Sequence, residues 1–262
     1  MASLPRRTLS LLALLLLTAA AFAAPPKKLL VVTVTKGFRH GDSIEVGEKI
    51  LAEMAARDRS FVVDYVRNDE EMAQKMTPAA LKGYDGVLFL NTTGDLPLPD
   101  RDAFMKWIEA GRGFVGTHSA TDTFHGYPPY LDMIGAEFKT HGAQSEVNCL
   151  VMDRKHPATK PLGASFKVFD EIYQFQRYDR TKFRDLFSLD RHPNEGTPGY
   201  YPLSWCRMQG KGRVFYTALG HRPDVWQSAW YQAHLLGGIR WALGLERGDA
   251  RPQTVSVNSA AR

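Results

Sequence analysis

Apolar runs and helical patterns alternate along the first half of the chain. The segment "KLLVVTVT" is rich in β-branched residues without strict alternation, which is typical of a strand covered on both faces. The next segment, "DSIEVGEKILAEMAAR", has apolar residues at helical spacing, with Asp42 and Glu45 placed for a capping box. Further strands are predicted at "FVVDYV", "GVLFLN" and "GFVGT", and further helices at "TPAALKGY" and "LPDRDAFMKWIEAG". This alternation predicts a doubly wound, mostly parallel sheet.

The pattern changes after Glu146, where strands follow one another with few helices between them. Five runs are strand-like: "EVNCLVMD", "FKVFDEIYQFQ", "DLFSLD", "PLSWCRM" and "RVFYTALG". The segment "MQGKGR" has the residues of a hairpin turn. A single helix is predicted over "VWQSAWYQAHLLGGIRWALG". We therefore expect an α/β domain with an added β-rich C-terminal half.

Composition narrows the class of protein. The chain has 262 residues, 44% of them hydrophobic and 23% charged, which is enough for one substantial core. Its formal net charge is +5, but the basic residues are scattered, which argues against a nucleic-acid partner. Cys149 and Cys206 could form one disulfide in an exported protein. Their positions in predicted strands of a large core favour two buried free thiols.

The two ends differ from the rest of the chain. Residues 1–23 combine two arginines, a short apolar run and small residues in an A-x-A pattern, and so predict a cleaved signal peptide. We expect a periplasmic or secreted protein with no membrane contact after cleavage. A retained anchor is disfavoured because the apolar run is short, and twin-arginine export fits less well than ordinary secretion. The domain is expected to span residues 24–247, and residues 248–262 are expected to form a disordered tail.

Polar side chains gather where the predicted parallel strands end, which is where open α/β sheets bind ligands. Three loops supply them: Phe38, Arg39 and His40 after the first strand, Asn91, Thr93 and Asp95 after the third, and His118 and Asp122 after the fourth. Each has a structural explanation when taken alone, as a surface charge, a turn former or a buried histidine. Their convergence favours a functional role for His40 and His118, but not for Asp95.

The β-rich half adds His141 in "FKTHG", Glu171 and Tyr173 in "FDEIYQF", and His221 in "TALGHRP". The surroundings of Glu171 are apolar and aromatic, so it faces either a pocket or the solvent, and the sequence leaves both open. His221 follows a glycine after a strongly apolar run, at the expected end of a strand, which favours function.

Several segments together resemble the trehalose-utilisation, or ThuA-like, family: "TKGFRH", "FLNTTGD", "GFVGTHSATDT", "DEIYQF", "WCRMQGKGRVFYTALGH" and "HLLGGIRWA". The resemblance runs from about Lys28 to Leu245. It implies a flavodoxin-like three-layer sandwich similar to the class I glutamine amidotransferases. In that fold a sharp turn after a strand presents a catalytic cysteine, whereas the matching turn "GTHSA" offers His118. The resemblance therefore implies proton transfer rather than amidotransferase chemistry.

The family is associated with the use of trehalose and related disaccharides, alongside dehydrogenases that oxidise a sugar hydroxyl to the 3-keto form. The resemblance thus implies an exported carbohydrate-processing enzyme that acts on 3-keto-glycosides by proton transfer next to the ketone, with a functional link to a sugar dehydrogenase. His40, His118 and His221 are then the candidate acid and base. Arg39 or Asn91 is the candidate oxyanion stabiliser. The remaining expected substrate contacts are Phe38, Thr93, Asp122, His141, Glu171 and Tyr173.

Two alternatives remain open at this point. One is a non-catalytic sugar-binding or accessory module, because the amidotransferase nucleophile is absent and no glycosidase carboxylate pair can be recognised. The other is a metal-dependent hydrolase. In that case His40, His118 and His221, with Asp122 or Glu171, form a site for a divalent metal, although no H-x-x-x-H or H-E-x-x-H spacing supports it. No other cofactor is expected.

Overall fold

The computed structural model describes residues 24–253. The expected signal peptide, residues 1–23, and the last part of the expected tail, residues 254–262, lie outside the described residues. The strands are β1 Lys27–Val32, β2 Phe61–Val66, β3 Gly86–Leu90, β4 Gly113–Thr117, β5 Glu137–His141, β6 Ser145–Val151, β7 Ser165–Asp170, β8 Tyr173–Gln176, β9 Arg184–Arg191, β10 Pro198–Gln209 and β11 Gly212–Thr217. The α-helices are α1 Gly41–Asp58, α2 Asp69–Lys75, α3 Pro78–Leu81, α4 Arg101–Glu109, α5 Pro128–Ile134, α6 Pro223–Gln227 and α7 Ala229–Ala242, and a 3₁₀ helix covers His118–Asp122.

One large sheet has the strand order β2-β1-β3-β4-β11-β10-β9-β6-β7. The first five strands in that order are parallel, and the remaining pairs are antiparallel. The carboxyl ends of β1, β3, β4, β11 and, after four successive antiparallel pairings, β7 therefore lie at one edge of the sheet. The predicted fold, a mostly parallel sheet with an added β-rich half, is confirmed.

Helices cover both faces of the parallel part. Neighbouring side chains on a strand point to opposite faces, and β3 shows this directly. A Cβ added to Gly47 of α1 would touch the Leu90 side chain, whereas the Phe89 ring lies 5.9 Å from the Phe104 ring of α4. All five residues of β3 are buried, as are all five of β4. Burial on both faces explains why these strands read as continuous apolar runs.

The elements differ from the predicted ones in several places. The predicted strand "FKVFDEIYQFQ" is two strands, β7 and β8, with Glu171 between them. Strand β5 was not predicted, and it pairs with β8 in a separate two-stranded sheet. The last helix is interrupted at Ser228. The capping box at Asp42 is wrong, because α1 begins at Gly41 with His40 at the N-cap and no side-chain capping bond.

Cys149 and Cys206 are buried and unpaired with each other, as predicted, and burial raises the pKa of both thiols. The segment after α7, residues 243–253, lies against the large sheet. Asp249 O is 3.8 Å from Cys206 Sγ, and Gln253 Nε2 donates to Asp185 O at 3.0 Å. Within residues 24–253, no helix combines the length and apolar character needed to cross a membrane.

Candidate active site

His118 stands at the turn where β4 ends. It is the first residue of the 3₁₀ helix, it is fully buried, and its φ is +42°. The turn folds back closely on the strand because Gly116 has no Cβ, which would come within 3.1 Å of Ala120 Cβ and Tyr216 Cδ2. The Tyr216 hydroxyl donates to His118 O at 2.6 Å and fixes the backbone there. A positive φ in a non-glycine residue, held by such contacts, is a common feature of functional sites.

The tautomer of His118 follows from its backbone partner. His118 Nδ1 lies 2.9 Å from Ala218 O, and a carbonyl oxygen only accepts hydrogen bonds. Nδ1 therefore carries the proton of the neutral ring, and Nε2 presents a lone pair. That lone pair points toward two other histidines and one glutamate.

His40 reaches the same point from the loop between β1 and α1. Its Nε2 lies 3.2 Å from His118 Nε2, and its Nδ1 lies 3.3 Å from Ser119 Oγ. The side chain is buried. Burial, reinforced by the neighbouring imidazoles, lowers the pKa of His40 to about 3. His40 is therefore neutral at physiological pH.

His221 follows β11 and is positioned by a buried acid. Asp170 accepts from Gly220 N at 2.8 Å and from Arg222 N at 3.1 Å, so it holds both neighbours of His221. Gly220 has φ +107°, a conformation that suits glycine. His221 Nδ1 then lies 3.2 Å from His118 Nε2. Burial lowers the pKa of His221, but the hydrogen bond and charge of Glu171 outweigh it, and the net shift is upward.

Glu171 completes the group from the break between β7 and β8. Its Oε1 lies 3.5 Å from His118 Nε2 and 3.3 Å from His221 Nδ1, and its Oε2 lies 3.2 Å from His141 Nδ1. Burial raises the pKa of this carboxyl, but the neighbouring imidazoles of His118 and His221 lower it by more, so the net shift is downward and the group is ionised. Glu171 therefore faces a pocket, which was one of the two positions left open by the sequence.

We call His40, His118, His221 and Glu171 the His/Glu cluster. One ligand atom from each of the four side chains lies within 4.8 Å of the others. Three nitrogens and one carboxylate oxygen at this spacing could hold a divalent metal ion. The same atoms could also pass protons or donate hydrogen bonds to a substrate oxygen.

Two cavities open beside the cluster. The inner cavity has a volume of about 250 Å³ and is lined by Phe38, His40, Asp122, Phe138, His141, Glu171, Tyr173 and His221. The outer cavity has a volume of about 520 Å³ and is lined by Phe38, Arg39, His40, Gly41, Asp42, Ser43, Gln144, His221, Arg222 and Pro223. They share Phe38, His40 and His221, so they are neighbouring parts of one depression at the carboxyl edge of the sheet.

Aromatic rings form the wall opposite the cluster. Tyr173 packs against His118 with ring centroids 4.2 Å apart, and Phe138 packs against Tyr173 at 4.3 Å. Strand pairing places His141 opposite Tyr173. Phe38 stands 69% exposed at the rim. Polar groups on one side and aromatic faces on the other are typical of small-molecule pockets.

Two residues expected to contact substrate do not reach the cavity. Asn91 is fully buried and its amide is fully used: it donates to Ser43 Oγ and Gly220 O and accepts from Thr117 Oγ1. Thr93 is also fully buried, and its hydroxyl donates to Phe38 O. Both residues hold the loops behind the site. The prediction that they contact the substrate is therefore corrected: they support the site from the core.

The other predicted residues line one of the cavities, except His118, which is fully buried behind them. Arg39 lines the outer one and donates from Nη1 to Thr33 O at 2.9 Å. Asp122 lines the inner one and contacts His125 Nε2 at 2.6 Å. Phe138 and Arg222 also line these cavities and were not predicted from the sequence. Phe138 lies three residues before His141 on the unpredicted strand β5, and Arg222 directly follows His221, but neither has a pattern that separates it from ordinary strand or surface residues.

Comparison with known proteins agrees with this architecture. The family model for trehalose utilisation, ThuA, matches residues 28–242. A ThuA-like protein from Bacteroides uniformis ATCC 8492 is 25% identical, with a TM-score of 0.70 over 86% of this chain and 94% of that chain. A ThuA-like protein from Parabacteroides merdae ATCC 43184 is 21% identical, with a TM-score of 0.69 over 83% and 90%.

More distant similarity extends to a β-galactosidase from Rahnella sp. R3. That protein is 14% identical, with a TM-score of 0.54 over 86% of this chain and 32% of that chain, which is a likeness of fold alone. None of the curated proteins matches. The match of the family model over most of the chain decides the assignment: this chain belongs to the trehalose utilisation (ThuA) family.

Proposed function

We propose that this chain is an enzyme that acts on 3-keto-glycosides and removes the proton at C2, next to the ketone. The observation that carries the proposal is the His/Glu cluster at the floor of a cavity walled by Phe38, Phe138 and Tyr173. Aromatic faces suit the apolar faces of a sugar ring, and the polar floor suits its oxygen atoms. Membership of a family named for trehalose utilisation supports a sugar substrate.

In this proposal a residue other than His118 transfers the proton, because His118 is fully buried. His118 has no exposed surface, so its Nε2 meets only the other members of the cluster. His141 is different: its side chain is 42% exposed, it lines the inner cavity, and its Nδ1 lies 3.2 Å from Glu171 Oε2. The same Nδ1 lies 2.9 Å from Gly142 O, and a base whose other nitrogen is oriented by such acceptors is a recurring catalytic arrangement. His141 is therefore the proposed base, with Nε2 directed to the substrate.

The reaction conserves atoms and electrons without a redox partner. His141 takes the proton from C2, and the electron pair of that bond forms the C2–C3 double bond of an enediolate, with the charge on the ketone oxygen. When the carbonyl forms again, the pair moves to a C1–C2 double bond and the substituent at C1 leaves. The departing oxygen takes up the proton from His141. The products are an alcohol and an unsaturated 3-keto sugar, to which water can add.

The His/Glu cluster stabilises the enediolate in this scheme. His40 and His221 both line the inner cavity, and in this scheme the ketone oxygen lies beside them. Groups already fixed in position stabilise a developing oxyanion without reorganisation. Ser119 and Asp170 provide that fixation, through His40 and through the chain around His221. Sugar oxidation at C3 has to precede this step, so we propose that a sugar dehydrogenase supplies the substrate.

The test compares 3-keto-trehalose with trehalose. We expect purified protein to release glucose from 3-keto-trehalose much faster than buffer alone, and to leave trehalose intact because its C2 proton is not acidified. Released glucose is measured enzymatically, and binding of both sugars is measured by calorimetry. Binding without release would show a sugar-binding module and contradict the proposed reaction. Equal release from both sugars would show ordinary glycoside hydrolysis instead.

A further inference from the structure

We propose that the His/Glu cluster binds one divalent first-row transition metal ion. The site is argued from the four side chains alone, and only the role given to the ion in the reaction rests on the proposed function. The protein ligands are His40 Nε2, His118 Nε2, His221 Nδ1 and one oxygen of Glu171.

Spacing between these atoms matches that of ligands around one ion. The nitrogen pairs His40–His118 and His118–His221 are each 3.2 Å apart. Glu171 Oε1 lies 3.5 Å from His118 Nε2 and 3.3 Å from His221 Nδ1. Tetrahedral zinc with bonds of about 2.0–2.1 Å separates neighbouring ligands by roughly 3.3–3.4 Å. The four measured separations thus lie close to the edges of such a tetrahedron.

Contacts on the far side of the His118 and His40 rings direct the lone pairs of these two histidines toward the centre. His118 Nδ1–H donates a hydrogen bond to Ala218 O, which leaves Nε2 free to coordinate. Ser119 Oγ can accept a hydrogen bond from His40 Nδ1–H in the same way. His141 contacts the second oxygen of Glu171 and leaves the first one toward the histidines. Metal-binding histidines usually have such a partner, which sets the tautomer and the ring orientation.

Hydrogen bonds within the His/Glu cluster cannot satisfy all four of its ligand atoms at once. The lone pair of His118 Nε2 faces a carboxylate oxygen at 3.5 Å, and both atoms are acceptors. It also faces a nitrogen of His40 and one of His221, and it can accept only one good hydrogen bond. A central cation attracts all four atoms at once. Three imidazoles and one carboxylate favour zinc, iron, manganese and their neighbours over calcium or magnesium, which prefer oxygen ligands.

The ion would lie beside the inner cavity, because His40, His221 and Glu171 all line it. A bound divalent ion polarises a carbonyl oxygen and stabilises negative charge on it. In the proposed reaction, that oxygen is the ketone of the sugar. His141 stays outside the ligand set and remains the group that exchanges the proton.

Metal content and affinity test the site without any sugar. Purified protein is stripped with a chelator, then titrated with Zn²⁺ by calorimetry and analysed by elemental mass spectrometry. We expect one ion per chain in the wild type and a loss of affinity of more than about 100-fold in His118→Asn and Glu171→Gln. Asparagine is chosen at position 118 because it tolerates a positive φ better than most residues. His192→Asn, at a partly exposed histidine outside the cluster, serves as the matched control.

Circular dichroism establishes that each variant is folded, and Glu171→Gln keeps the test valid if His118→Asn does not fold. Titration with Co²⁺ adds a visible absorption spectrum that reports nitrogen coordination, and we expect it in the wild type and the control only. Wild-type protein that takes up no ion, or cluster variants that bind as well as the control, would overturn the metal site. Turnover of 3-keto-trehalose by metal-free protein would overturn the role of the ion alone. Tight metal binding without turnover would overturn the proposed reaction alone.

Discussion

His141→Gln is expected to lower turnover of 3-keto-trehalose by about 10²- to 10⁴-fold, the usual contribution of a positioned proton-transfer group. Glutamine can still hydrogen-bond to Glu171, but it cannot take a proton from carbon near neutral pH. Because His141 is half-exposed at the end of β5 and outside the His/Glu cluster, the change leaves folding and metal binding in place. The rate constant kcat is measured beside the melting temperature and the Zn²⁺ stoichiometry.

The matched control is His192→Gln, which is expected to keep full activity. A His141→Gln protein with activity within a few fold of the wild type would exclude His141 as the base. In that case His221, the most exposed histidine of the cluster, would be the next candidate. A variant that also loses its metal would show that His141 acts by orienting Glu171.

Gly237→Ala is expected to lower the free energy of unfolding by about 2–3 kcal/mol, the usual range for overpacking a core. A Cβ at this position of α7 would lie 2.3 Å from Pro157 O and 2.8 Å from Ala158 Cα. Both are backbone atoms, so the helix or the loop has to move. This cost outweighs the gain of about 1 kcal/mol that alanine usually brings to a helix over glycine.

Urea unfolding of Gly237→Ala and Gly163→Ala measures this effect. An added Cβ at Gly163 would meet nothing closer than 3.4 Å, so this loop variant is expected to match the wild type. Equal stability of the two variants would mean that α7 does not approach residues 157 and 158 as closely as described.

Much of the fold could be predicted from local sequence patterns. Strands buried on both faces, such as β3 and β4, give continuous apolar runs, and the rule that ligands bind at the carboxyl ends of parallel strands predicted that His40 and His118 would meet. The structure places their Nε2 atoms 3.2 Å apart. Their catalytic roles stay predictions, as do those of His221 and the cavity residues.

The rest depended on contacts between distant parts of the chain. Asn91 is polar and follows a strand, as a ligand-binding residue would, but its positive φ of +48° and its partners at Ser43 and Gly220 turn it into the core. Pairing between β5 and β8 is equally non-local, so the wall formed by Phe138 gave no signal in the sequence. Residues that line the cavity can therefore be told from residues that support it only when the contacts of each side chain are known.

Deuterium incorporation at C2 of 3-keto-trehalose, followed by NMR in D₂O, tests the central claim most directly, because it detects proton removal whatever happens at C1 afterwards. Wild-type protein should introduce deuterium at C2 of the recovered sugars well above the buffer rate, while His141→Gln should not. Sugar that binds the wild type and keeps its C2 proton at the buffer rate would contradict the account.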